Sequence, residues 1–184
     1  MDPASQPGAR GAPIATTARL TLREIDAGDA PFIVTLVNDA AWLRFIGDKN
    51  VRTEDDARRY IEAGPAAMYA QRGFGLWLAE RSEDGMPIGM CGLIKRDALP
   101  DIDLGFAFLP AYRGNGYAFE AAQAAIDFAW ERLRLARIVA ITAPDNDDSV
   151  RLLERLGFRF ERMLQLAGDA PAVRLYATQR AGTR

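Results

Sequence analysis

The chain has no histidine and a single cysteine, Cys91. The first absence removes histidine-based triads and the usual zinc sites, and the second removes any intrachain disulfide. Chemistry on this chain therefore rests on carboxylates, hydroxyls, amides, backbone groups or a bound cosubstrate. Also absent is an apolar run long enough to span a bilayer, and residues 1–13, rich in Pro, Gly and Ala, carry no contiguous apolar stretch of the signal-peptide kind. These absences predict a cytoplasmic protein with no membrane partner and no metal. Neither charge sign dominates: 23 Lys and Arg stand against 25 Asp and Glu. Such a balance lacks the basic stripe of a nucleic-acid binder and suits cationic, amine-bearing acceptors.

What is present fits one globular unit. With 184 residues, 49% of them hydrophobic, the chain can bury a core but sits near the size of a single domain. That domain is expected over residues 15–180, after a loose tail at 1–14.

Residues 18–24 alternate apolar and polar positions and predict a strand. Asp29 stands where it would cap a helix bearing Phe32, Ile33, Leu36 and Val37, and 42–46 predicts a short helical piece. Thr53, with Asp56 three residues on, marks a helix N-terminus. That helix reaches to about Tyr69, with a kink or break at Gly64-Pro65. Strands follow over 74–80, 87–95 and 101–108. In the last, Ile102, Leu104, Phe106 and Phe108 alternate with Asp103, Gly105 and Ala107, predicting one packed face and one with room. The apolar stripe of 116–133 predicts a long helix and 137–142 a strand, so that 101–142 forms a parallel βαβ unit. A helix over 147–156, closed by Gly157, and a hairpin turning at Gly168-Asp169 complete the chain.

Between the strand at 101–108 and the long helix lies Arg113-Gly114-Asn115-Gly116-Tyr117-Ala118. Two glycines permit close backbone approach, and free N–H groups at a helix start favour a pyrophosphate. A tight turn with Arg113 in solvent explains the same residues. A P-loop would end in Gly-Lys-Ser/Thr, and a dinucleotide fingerprint would place a third glycine where Phe119 stands. A nicotinamide-dependent oxidoreductase is correspondingly remote.

The segment matches the Arg/Gln-x-x-Gly-x-Gly/Ala signature, and residues 146–158, from Asn146 through Ser149 to Gly157-Phe158, match an Asn-x-x-Ser, Leu-x-x-x-Gly-Phe pattern. With both motifs in place the chain resembles the GNAT superfamily of N-acetyltransferases, in the branch that includes the ribosomal-protein acetyltransferases RimJ and RimL. The resemblance implies an α/β (α+β) fold: a mixed, mostly antiparallel sheet of six or seven strands with helices on both faces. It also implies acetyl-CoA as cosubstrate. Its pyrophosphate would rest on Arg113, Gly114, Asn115, Gly116, Tyr117 and Ala118. Its pantetheine arm would pair with the backbone of Phe106, Ala107 and Phe108, where the strand carries a bulge and splays from 137–142. An amine would then attack the thioester directly, with no protein nucleophile.

By the same resemblance Asn146 contacts the cofactor arm, and Ser149 donates to the leaving thiolate. Both are equally natural helix caps. Asp103 stands where many relatives carry a glutamate; it is a candidate general base, or a structural hydrogen-bond acceptor. Leu153 stands where the resemblance would place a tyrosine acid, which leaves proton return to Ser149, to water or to no group. Cys91 reads as a small core residue. Trp42, beside Arg44, Phe45 and Asp48, falls in the segment resembling the acceptor site, whereas Arg52, Arg58 and Arg59 read as a solvated face. The acceptor is an amine-bearing small molecule or a protein N-terminus, and the chain a monomer or homodimer. An acyl-CoA-binding module without turnover is the alternative.

Overall fold

Alternating and fully apolar strand segments assemble into one sheet in the computed structural model, which describes residues 13–180. Its strands are β1 (Pro13–Thr16), β2 (Leu20–Glu24), β3 (Leu76–Arg81), β4 (Pro87–Lys95), β5 (Ile102–Phe108), β6 (Arg137–Thr142), β7 (Arg159–Leu164) and β8 (Val173–Gln179). The order is β1-β2-β3-β4-β5-β6-β8-β7, and only β5 and β6 run parallel. The eighth strand beyond expectation is β1. Its Pro13 and Ile14, expected in the loose tail, form strand instead, because Pro13 pairs with Arg23 of β2; the remainder of that tail lies outside the described residues.

The helices are α1 (Ala30–Val37), α2 (Ala40–Phe45), α3 (Glu54–Ile61), α4 (Ala67–Arg72), α5 (Tyr117–Glu131) and α6 (Asp147–Arg155). Ile33, Leu36, Val37, Trp42, Ala57 and Ile61 pack with Leu78 and Met90 on one sheet face. On the other, Ala121, Ala122, Ala125, Ile126 and Ala129 of α5 and Leu153 of α6 pack with Cys91, Leu93, Leu104 and Phe108. The alanine stripe lets α5 lie close to the strands, and helices cover both faces as expected.

Local chemistry explains several element ends. Thr53 and Asp56 form a reciprocal capping box at α3. Asp29 makes no such cap at α1. Its carboxylate instead accepts from Arg23 Nη1 and Nη2, at 2.9 and 2.8 Å, and from the Asp26 amide. With Glu80 it holds a guanidinium only 5% exposed, and charge balance outweighs capping. Gly64-Pro65 does not break the helix. A π-helical turn at Glu62–Ala66 carries the chain from α3 to α4, and its wider ring accommodates the proline that an α-turn would exclude.

Candidate active site

Parallel strands place their C-terminal ends on one edge, so β5 and β6 bring both sequence motifs together. Only one residue pair, Asp103 with Val139, is in register between them. Beyond it the strands separate: Phe106, Ala107 and Phe108 have strand partners on β4 alone, and the Phe108 carbonyl is taken by the Arg113 side chain. Their side toward β6 is an unpaired sheet edge. The expected bulge is not in β5: its ladder with β4 keeps one register from Ile102 to Phe108. The register shift falls between β3 and β4, at Ala79 and Glu80. Small residues on β4 make the unbroken ladder possible, since a Cβ on Gly89 would lie 2.4 Å from Phe108 Cδ1.

After β5, a 3-10 turn at Pro110–Tyr112 leads into the glycine loop. Gly114 and Gly116 have φ of +75° and +82°, the left-handed region that side-chain-bearing residues rarely adopt. Gly116 occupies the N-cap of α5, so no side chain caps the amides of its first turn. A Cβ on Gly114 would meet nothing within 4 Å, which leaves open space beside those donors. The loop and helix start thus present amide donors beside open space, the chemistry that suits an anionic diphosphate.

Arg113 turns away from that space. Its Nε donates to the Phe108 carbonyl at 2.8 Å, and its Nη2 pairs with Asp39 at the start of α2. A different arginine flanks the loop. Arg19 donates to the Asn115 carbonyl at 3.0 Å and to Glu120 at 2.7 Å, and its guanidinium lies 4.4 Å from the Tyr117 ring centroid. Sequence reasoning missed Arg19, because the contact joins residues nearly a hundred apart. Its one local signal is a charge placed just before an apolar strand.

Across the gap, Asn146 caps α6 by accepting from the Ser149 amide at 3.2 Å. The Ser149 hydroxyl makes no hydrogen bond to another described residue. Leu153, which stands where the resemblance would place a tyrosine, is 1% exposed and packs in the core. Cys91 is fully buried, and burial pushes its thiol well above the ordinary range. Arg52, Arg58 and Arg59 form exposed ion pairs with Asp48, Glu54, Asp55 and Asp56.

Two buried side-chain atoms lack a hydrogen-bond partner among the described residues: Trp42 Nε1 and Asp103 Oδ1. Asp103 stands on the β5 face that sequence alternation predicted to be roomy. Instead it is 1% exposed. Burial pushes its carboxyl up to about 6, against the pull of the Arg96 guanidinium, whose Nε donates to Oδ2 at 2.6 Å, and the smaller pull of the Ile141 backbone amide on β6. Three residues separate Asp103 from Phe106, roughly 10 Å along the strand. That span requires a water, or the acceptor itself, between carboxylate and open edge.

Comparison with known proteins agrees with this fold. Residues 19–159 match the family described as acetyltransferase (GNAT) domain. The uncharacterized N-acetyltransferase YnaD of Bacillus subtilis is 31% identical over 146 residues, covering 79% of this chain and 82% of that protein. A crystal structure of an acetyltransferase from Agrobacterium tumefaciens superposes with a TM-score of 0.78 at 25% identity, over 92% of this chain and 96% of that one. The ribosomal-protein α-N-acetyltransferase RimL, solved in complex with coenzyme A, shares the fold at a TM-score of 0.77 and 21% identity, over 91% and 98% of the two chains.

Proposed function

The chain belongs to the GNAT acetyltransferase family and is an N-acetyltransferase; from that premise we propose that it carries an acetyl group from acetyl-CoA to a primary amine by direct attack within a ternary complex. One observation carries the reading. The unpaired edge of β5 at 106–108 opens beside the uncapped N-terminus of α5, which offers a backbone ladder for an amide-bearing arm and donors for a diphosphate.

Acetyl-CoA supplies an acyl group already activated as a thioester, so the protein's part is to bind, orient and move protons. In this reading Gly114, Asn115, Gly116, Tyr117 and Ala118 offer amides to the diphosphate. Arg113 shapes the loop through Phe108 and Asp39 rather than by contacting phosphate. Backbone N–H groups near Phe106 and Ala107 steady the developing oxyanion. Asp103 removes a proton from the acceptor ammonium, directly or through one water. Asn146 orders the start of α6, and the Ser149 hydroxyl, without a hydrogen-bond partner among the described residues, donates to the leaving sulfur. The acceptor is a protein N-terminus or a small amine; the RimL neighbour acts on ribosomal protein.

The test is release of free thiol from acetyl-CoA across a panel of peptides with free N-termini, polyamines and amino acids. Transfer predicts acceptor-dependent thiol release and an acetylated product of matching mass. Saturable binding of acetyl-CoA with no amine raising thiol release above background would leave a binding module and defeat the reading.

A further inference from the structure

We infer that Arg96 is a positioning residue for Asp103: it clamps one carboxylate oxygen, keeps the group charged inside the fold, and leaves Oδ1 as the basic oxygen offered to the acceptor amine. The inference rests on the reading of Asp103 as proton acceptor.

The geometry differs from that of a forked ion pair. Two pairs elsewhere in this protein set two guanidinium nitrogens on two carboxylate oxygens, although Arg137 also holds Asp101 through Nε alone. Arg137 holds Glu161 by two bonds of 2.7 Å, and Arg23 holds Asp29 by bonds of 2.9 and 2.8 Å. Such forks satisfy both oxygens. Arg96 engages Asp103 through Nε alone, at 2.6 Å to Oδ2, and leaves Oδ1 buried and unpartnered. A buried acceptor without a donor is costly, and such groups persist where a ligand or proton completes them. The pair is also lopsided in exposure, with the Asp103 side chain at 1% and that of Arg96 at 37%. Arg96 therefore reaches inward from the β4–β5 connection to a carboxylate that its own strands bury.

Among the described residues no second cation competes for this role. The residues registered opposite Asp103 are Ile94 on β4 and Val139 on β6, both apolar. Lys95 is held by the Leu99 and Pro100 carbonyls, and Arg137 by Asp101 and Glu161. From α3, Tyr60 lies within the influence of Arg96, and burial keeps its phenol neutral. When an ammonium arrives, one proton passes to Oδ1. A neutral amine and a neutral carboxyl result, the charge of the site is conserved, and the proton later leaves to water.

The test compares wild type, Arg96→Gln, Arg96→Lys and Asp103→Asn. Carboxyl ¹³C NMR titration, with Asp103 assigned by its loss in Asp103→Asn, needs no acceptor. Activity against pH is followed with acetyl-CoA and the best amine from the panel above. Loss of the guanidinium in Arg96→Gln is expected to raise the Asp103 midpoint by about one pH unit or more, and to move the acidic limb of kcat/KM by the same amount. Arg96→Lys is expected to restore most of both. Circular dichroism and thermal melting establish that each variant folds, and Arg96→Met takes the place of Arg96→Gln if the latter does not. An unmoved Asp103 midpoint in the folded variant that lacks the cation overturns the inference, while an acidic limb abolished in Asp103→Asn would keep the proton-acceptor reading intact. A shifted midpoint without a shifted rate profile overturns both.

Discussion

At the scale of single residues, Asp103 carries opposite consequences for stability and activity. Its folded midpoint near 6 lies above that of an unfolded aspartate. Between about pH 4 and pH 6 the unfolded chain has released this proton while the folded one retains it, so stability falls as pH rises through that window. Asp103→Asn is therefore expected to be more stable than wild type at pH 7.5, by roughly 1–3 kcal/mol, with the advantage shrinking at pH 4.5. In urea unfolding at the two pH values, an equal difference would refute this. The same substitution is expected to lower kcat by about 10²–10⁴-fold and to remove the acidic limb near pH 6. Arg23 is the contrasting case. Arg23→Ala would leave Asp29 and Glu80 buried without their shared cation, at a cost of about 3–5 kcal/mol in the same assay. The residue identities at 103 and 23 are plain in sequence, but their burial is not, because it depends on a helical layer folded over them from elsewhere in the chain.

At the scale of elements, the glycine loop and the start of α6 make separable predictions. Gly116→Ala places a Cβ 3.3 Å from Arg19 Nη2, a flexible side-chain end that can yield, but at a φ of +82°. The expected result is a loss of about 1 kcal/mol in stability and a raised KM for acetyl-CoA, with KM for the amine little changed. Ser149→Ala keeps the cap, because the bond runs from the Ser149 amide to Asn146. It is expected to lower kcat by about 10–100-fold, the worth of a hydrogen bond to a charged group, with no loss of helix stability. A kcat equal to wild type would remove Ser149 from proton return. Both motifs were legible in sequence, since glycines that need positive φ and polar residues at helix starts act locally. The side-chain direction of Arg113 was not, because Asp39 reaches it from a distant segment. Nor was the site of the register shift, because it is set by how two strands pair across the sheet rather than by either strand alone.

At the scale of the whole molecule, the sheet has two parts joined by one registered pair, β1 to β5 on one side and β6, β8 and β7 on the other. The α5 layer bridges them, for Ile138, Ala140 and Tyr176 share its core with Leu93 and Leu104. A molecule seated in the gap would stabilise the folded state by mass action. Acetyl-CoA at 100 times its Kd is expected to add about 2.7 kcal/mol. For a domain of this size the melting temperature would rise by roughly 5–11 °C. An unchanged melt at saturating acetyl-CoA would argue that the gap is not its seat. Among the described residues no helix is long and apolar enough to cross a membrane.

The local signals in this chain determined what each segment becomes. Periodicity set β4 and β6 to the residue, capping set α3, and the two motifs identified the family before any contact was known. Such signals work because pleat, helical turn and backbone sterics operate over a few residues. Tertiary structure alone decided which polar atoms are enclosed and which are left without partners. Asp103 is buried by strands and helices that meet only in the fold, Arg96 reaches it from the end of another strand, and Arg19 rather than Arg113 flanks the glycine loop. Burial and electrostatic pairing sum over everything within a few ångströms, and sequence separation carries no record of that neighbourhood.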